Sequence, residues 1–169
     1  MDMFETKLIK PDYRLAEREA IRLLNESGVY QPPVNPVEIA HDIGVRVSFV
    51  HFSGESEGVA GLYDPSEDQI LVNADEAGVR QTFTVAHELG HRIMHAEWAK
   101  SEAYKVLWRD PKRQSKDRRE TEANVFAANL LMPKQMVDEY KSLPVSSIAR
   151  IFAVSEQVAT FRLQNLYGI

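Results

Sequence analysis

The sequence predicts an α+β fold, with a short β-sheet packed on one long helix and a pair of helices after it. Three observations predict it. Apolar alternation at the strand period is concentrated in residues 45–72. From Asp75 to Glu97 no proline interrupts a helical apolar face made of Phe83, Val85, Ala86, Leu89, Ile93 and Met94. Residues 145–166 show helical spacing twice, on either side of a break at Val154-Ser155. A chain of 169 residues suits one domain with a sizeable core. The expected organisation is a core over residues 1–133, with a helical subdomain over 134–169 packed on it.

Taken in order, residues 12–27 read as an amphipathic helix through Leu15, Ala20, Ile21, Leu23 and Leu24, stopped near Gly28. Pro32, Pro33 and Pro36 impose an extended turn before a short helix at Val37 to Asp42. Val45 to Phe52 alternates as a strand with Val45, Val47 and Phe49 inward. Gly54 to Gly58 breaks the chain before a second strand, Val59 to Tyr63, and Asp64-Pro65 turns it into a third, Gln69 to Val72. Residues 120–131 read as another helix, ended at Pro133, with Ala123, Phe126, Ala127, Leu130 and Leu131 inward.

Hydrophobic residues make up 44% and charged residues 27%, the balance of an ordinary globular protein rather than a disordered one. No apolar run approaches the roughly 20 residues that span a bilayer. Asp2 and Glu5 interrupt any secretory signal at the start, so a cytoplasmic location is expected. With no cysteine, disulfides and thiolate metal sites are excluded, and imidazole and carboxylate are left as the good zinc ligands. A net charge of -5 argues against general affinity for nucleic acid. Charge is uneven, however. Lys112, Arg113, Lys116, Arg118 and Arg119 form a basic strip that reads as a mobile solvated loop, or alternatively as a guide for an acidic partner surface. In the final helical pair Arg150 and Arg162 are the only basic residues and Glu156 opens the second helix, so direct DNA binding is disfavoured.

The chemistry is concentrated in Phe83-Thr84-Val85-Ala86-His87-Glu88-Leu89-Gly90-His91. Residues four apart on a helix lie one turn above each other, so His87 and His91 can converge on one zinc ion. Glu88 sits beside them, placed to take a proton from a water in an open coordination position. That is the arrangement used in peptide hydrolysis. A third protein ligand is needed. Glu120 and Asn124 share a face of the later helix, so Glu120 can ligate while Asn124 holds a ligand imidazole by its free ring nitrogen. Glu122 points about 200° away, and Glu120 is preferred; an acidic helix start in solvent is the competing reading. His95 lies about 12 Å along the axis from His87, too far to share an ion. It is read as standing behind a ligand, or as core. Arg92 departs from the pattern, since zinc peptidases usually carry an uncharged residue there. An edge strand commonly aligns a peptide substrate by backbone pairing, and Val59, Gly61 and Tyr63 are the candidates. For the donor to the carbonyl oxygen, Tyr63, His95, Tyr104 and loop arginines stay open.

These residues resemble those of the ImmA/IrrE metallopeptidases, small bacterial and phage-borne proteins. The resemblance rests on Phe83 through His91, on Glu120 through Pro133 with its ExxANxFAxxLLMP pattern, and on Pro32 through Ala40, and it covers most of the chain. It implies a zincin-like metallopeptidase fold and a zinc-dependent endopeptidase, with Mn2+ as a substitute ion. It also implies that a partner helix-turn-helix repressor of the phage type is cut, which relieves repression of mobile-element, phage-induction or stress genes. Carried over by position, His87, His91 and Glu120 are the ligands and Glu88 is the base. The alternative is a catalytically silent module that sequesters a repressor or toxin partner.

Overall fold

The computed structural model of the chain describes residues 9–108 and 117–169. Asp12 caps α1 (Tyr13–Ser27) by accepting the Leu15 N–H at 2.9 Å, and Gly28 closes it in the left-handed region at φ 68°. Its buried stripe is Ala16, Ala20, Leu23 and Leu24, the spacing of one helical face. Ile21 lies off that stripe and is exposed, a correction to the expectation that it belongs to the apolar face. Asn35 caps α2 (Pro36–Asp42), with Pro36 at a position where its missing N–H costs nothing.

Three strands follow, β1 (Arg46–Val50), β2 (Gly61–Asp64) and β3 (Gln69–Asn73). They pair in the order β1-β3-β2, with β1 parallel and β2 antiparallel to β3. Strand β2 starts later than residue 59 because Val59 is consumed by the preceding turn. Its N–H bonds Ser56 O at 3.1 Å and its carbonyl accepts Asn73 Nδ2 at 2.9 Å. Phe49 was expected inward and is 49% exposed. The reason is that β1 is an edge strand and α2 is only seven residues long, so cover on that face stops at Val47, which packs on the core.

The central helix α3 (Gly78–Met94) is shorter than the 75–97 segment suggested, because His95 leaves helical geometry at φ −129° before α4 (Ala96–Ala99) and α5 (Glu102–Trp108). One side of α3 packs on β2 and β3, the other on α6 (Arg118–Leu131), which is itself held between α3 and α1. Two glycines permit these approaches. A Cβ on Gly90 would lie 3.1 Å from Phe126 Cδ1 of α6, and one on Gly61 would lie 2.5 Å from Thr84 Cγ2 and 2.7 Å from Leu71 O. Ile70, Val72, Val85, Leu89, Phe126 and Leu130 thereby join one buried cluster.

The segment from Glu97 to Arg119 is not simply a solvated strip. Ala99 and Tyr104 are buried, Arg118 Nη1 pairs with Glu122 at 2.9 Å, and Arg119 stacks 4.5 Å above the Trp98 ring. Ala99 in α4 and Tyr104 in α5 thus anchor the described part of this segment to the core. Lys112, Arg113 and Lys116 lie outside the described residues.

After the short α7 (Lys134–Val137) come α8 (Val145–Phe152) and α9 (Glu156–Tyr167), joined by a turn with Ala153 at φ 53°. Ile148, Ala149, Phe152, Ala159 and Leu163 belong to the same buried cluster as the sheet and α3. Arg162 is buried and donates to Met132 O and to Asn129 Oδ1, each at 2.9 Å. One of the two arginines of this segment is therefore a tie to α6, not a surface charge. No described helix is long and apolar enough to cross a membrane.

Candidate metal centre

The last two turns of α3 and the first turn of α6 face each other, and their side chains meet at one point. His87 Nε2 and His91 Nε2 lie 3.1 Å apart, and the Glu120 carboxylate faces both, with Oε2 3.0 Å from His87 Nε2 and Oε1 2.9 Å from His91 Nε2. Among the described residues this is the group of His, Asp or Glu donors that could hold a metal ion. Three donors around a tetrahedral zinc at 2.0 to 2.1 Å lie about 3.3 Å apart, so the observed spacing fits after a spread of a few tenths of an ångström. Two imidazoles and one carboxylate, the three donors found among the described residues, match a catalytic rather than a structural donor set. Glu120 is held well below the ordinary carboxylate range: burial opposes ionisation, but hydrogen bonds from the two imidazoles outweigh it. For His87, burial alone favours the neutral ring, yet the Glu120 carboxylate raises its pKa to about 9.

Each imidazole is held from behind. His87 Nδ1 lies 2.8 Å from Asn124 Oδ1, one turn along α6 from Glu120, as the ExxxN spacing predicts. His91 Nδ1 lies 3.0 Å from His95 Nδ1, and His95 Nε2 lies 2.6 Å from Glu122 Oε2. His95 thus stands behind His91, and it can do so because the helix ends there and its ring turns back. Burial lowers the His95 pKa to about 4 despite the Glu122 carboxylate, so the ring is neutral around pH 7. Glu122 is 1% exposed and faces His95 rather than the donor cluster.

Glu88 is buried beside the cluster and is not one of its converging donors. Burial pushes its pKa up, and the charges of His91 and His87 pull against that. The Tyr104 hydroxyl donates to Glu88 Oε2 at 3.1 Å and accepts the Tyr63 N–H at 2.7 Å. Of the residues left open as carbonyl-oxygen donors, Tyr63 is committed elsewhere, with its hydroxyl on Asp68 Oδ1 at 2.7 Å, and both ring nitrogens of His95 are engaged. Arg92 is not at the centre at all. It reaches from the far side of α3 to Asp68, at 3.1 and 3.2 Å, which explains how a charged residue is tolerated after the second histidine.

A cleft of about 670 Å³ opens onto His87, Glu88 and Glu120. One wall is Gly58–Gly61 leading into β2, and the other includes Ser155, Gln157 and Val158 at the start of α9. That second wall went unnoticed in the sequence, where a helix cap after a turn carries no sign of a cleft. A separate hollow of about 580 Å³, bordered by Leu62, Tyr63, Lys100, Tyr104 and Lys105, holds none of the converging donors. Register sends the Gly61 and Tyr63 backbone groups away from β3, because Asn73 N–H bonds Ala60 O across the ladder. The candidate pairing residues therefore differ: Val59 is used in the turn, the Tyr63 N–H is taken by Tyr104, and Gly61 borders the cleft.

The donor set is one that zinc peptidases use, and comparison with known proteins identifies the family. Residues 40–164 match the peptidase M78 model, described as the IrrE N-terminal-like domain, and the chain belongs to that family. It is 32% identical over 108 residues to uncharacterized immunity region protein 2 of Bacillus phage phi105, covering 64% of this chain and 65% of that protein. It is 28% identical over 117 residues to metallopeptidase ImmA of Bacillus subtilis, covering 67% and 66%, respectively. With the radiation response metalloprotease IrrE of Deinococcus deserti it shares 27% over 124 residues, 59% of this chain and 40% of that one. The chain thus spans no more than about two thirds of the length of these relatives. A Mycobacterium tuberculosis transcriptional regulator has the same fold, with a TM-score of 0.67 at 19% identity, over 91% of this chain and 47% of that one.

Proposed function

We propose that this chain is a zinc-dependent endopeptidase that cuts a partner helix-turn-helix repressor in the cytoplasm and so relieves repression. The observation that carries the reading is Glu88, a buried carboxylate lining the cleft beside three converging donors. His87, His91 and Glu120 would hold an ion, Zn2+ or in its place Mn2+, which when bound would supply Lewis acidity toward a water and the scissile carbonyl. Glu88 takes the proton of the attacking water and returns it to the leaving amine. Burial, which raises the proton affinity of Glu88, suits it to both steps. Once Glu88 has taken the water proton it no longer holds the Tyr104 hydroxyl as a carboxylate does, and that hydroxyl can turn to donate to the carbonyl oxygen as negative charge develops there. Its hydroxyl stays protonated at neutral pH, because burial and the Glu88 charge push its pKa well above the ordinary value. Substrate lies extended along the outer edge of β2, with backbone pairing centred on Gly61.

The kind of substrate is taken from the family resemblance, and similarity to a phage immunity region protein is in keeping with it. The acidic chain and the burial of Arg162 give no support to direct DNA binding. The test is incubation of the chain and Zn2+ with a phage-type helix-turn-helix repressor, taken from the neighbouring gene where that gene encodes one, reading fragment masses. Cleavage is expected, is stopped by chelator, and is absent in Glu88→Gln, which still binds zinc. Fragments produced equally by Glu88→Gln would remove Glu88 as the base. Derepression without fragments, insensitive to chelator, would support sequestration instead.

A further inference from the structure

Glu122 is almost wholly buried two residues after Glu120, and the proposed reaction makes no use of it. A carboxylate in that position is stable only if its oxygens are fully engaged. They are: Oε1 accepts the Asp12 N–H and Arg118 Nη1, each at 2.9 Å, and Oε2 faces His95 Nε2 at 2.6 Å. The other His95 nitrogen faces His91 Nδ1 at 3.0 Å. An unbroken line of polar atoms therefore runs from the Asp12 amide at the start of α1, through Glu122 and His95, to a proposed metal ligand.

Counting protons along this line leaves one arrangement. For His91 Nε2 to offer its lone pair to an ion, the ring's proton must be on Nδ1. That proton needs an acceptor at His95 Nδ1, so the His95 proton sits on Nε2 and is accepted by Glu122. With the His95 proton on Nδ1 instead, two N–H groups would face each other, or the His91 proton would move to Nε2 and block the ion. We propose that Glu122 and His95 are positioning residues that set the orientation and tautomer of His91 for metal binding, anchored by the Asp12 amide and Arg118. This rests on the metallopeptidase reading above and adds to it the group that prepares the second histidine.

The test uses the zinc-loaded wild-type chain with 15N-labelled histidine, whose long-range proton–nitrogen correlations report which ring nitrogen carries the proton. The expected pattern is Nδ1–H on His91 and Nε2–H on His95. A zinc-loaded chain with the His95 proton on Nδ1 overturns the proposal and leaves the peptidase reading standing. Zinc affinity, by competition with a chelator, gives the second readout. His95→Phe and Glu122→Leu each weaken zinc by about 10- to 100-fold, and the double variant is no worse than the more weakly binding single variant. Additive losses overturn the proposal. A wild-type chain that takes up no zinc overturns it together with the proposed function. Should Glu122→Leu fail to fold, the wild-type spectrum still decides.

Discussion

Tyr104 touches both the proposed base and the backbone of the edge strand through a single hydroxyl. Sixteen residues and two helix starts separate it from Glu88, so its sequence neighbourhood says nothing of the contact, and it stood only as one of several open candidates. Tyr104→Phe is expected to lower kcat on the order of 10²-fold with KM little changed, the sign of a donor that acts in the transition state. Steady-state kinetics on a cleavable peptide would check this, and a kcat equal to wild type would strike Tyr104 from the mechanism. Asn124 behaved differently. Its spacing from Glu120 was sufficient to place it behind His87, because both contacts are made along one face of one helix.

At the level of elements, the strand edge, the central helix and α6 are pressed together at positions where no side chain fits. Gly61→Ala would push a methyl into Thr84 and the Leu71 carbonyl, forcing β2 off α3 one turn before His87. Such overpacking costs about 1–3 kcal/mol, and here the strand that must move is the one proposed to pair with substrate. The expected result is a lower unfolding midpoint in urea together with a raised KM, and an unchanged KM would separate Gly61 from substrate pairing. Arg92 fastens α3 to the β2–β3 turn by its pair with Asp68, both ends part-exposed, so Arg92→Ala costs at most about 1 kcal/mol. The pH dependence has a definite sign. Asp68 is held below its ordinary pKa, first by Arg92, so its contribution is present above about pH 4 and is lost as pH falls through the lowered value. The stability gap between pH 7 and pH 3 should therefore be smaller in Arg92→Ala than in wild type, with zinc affinity the same; a drop in zinc affinity would contradict the placement of Arg92 away from the metal.

Across the whole chain, the cleft is assembled from residues 58 to 158, and its far wall stands on the helix that Arg162 ties to α6. Arg162→Leu leaves the Met132 carbonyl and Asn129 without their charged donor in a buried place. The expected cost is about 2–4 kcal/mol, a fall in Tm of roughly 5–15 °C for a chain of this size. Calorimetry measures it, and a change below about 2 °C would show that α9 is held by apolar packing alone. The 134–169 segment, expected as a subdomain packed on the core, shares its buried cluster with the sheet and with α3.

Local chemistry was enough to announce the α3 histidines, Glu88, the Glu120–Asn124 pair and the helical or strand period of most elements, because each depends on residues within one or two turns of each other. Gly28 and Asn35 ended and began helices where their backbone preferences said they would. Folding alone determined that Glu122 faces His95, that Tyr104 reaches Glu88, that Phe49 is left uncovered and that α9 walls the cleft. The two side-chain contacts join residues 16 and 27 apart along the chain. Their partners are chosen by how helices and sheet pack around one core, a constraint that no stretch of local sequence contains.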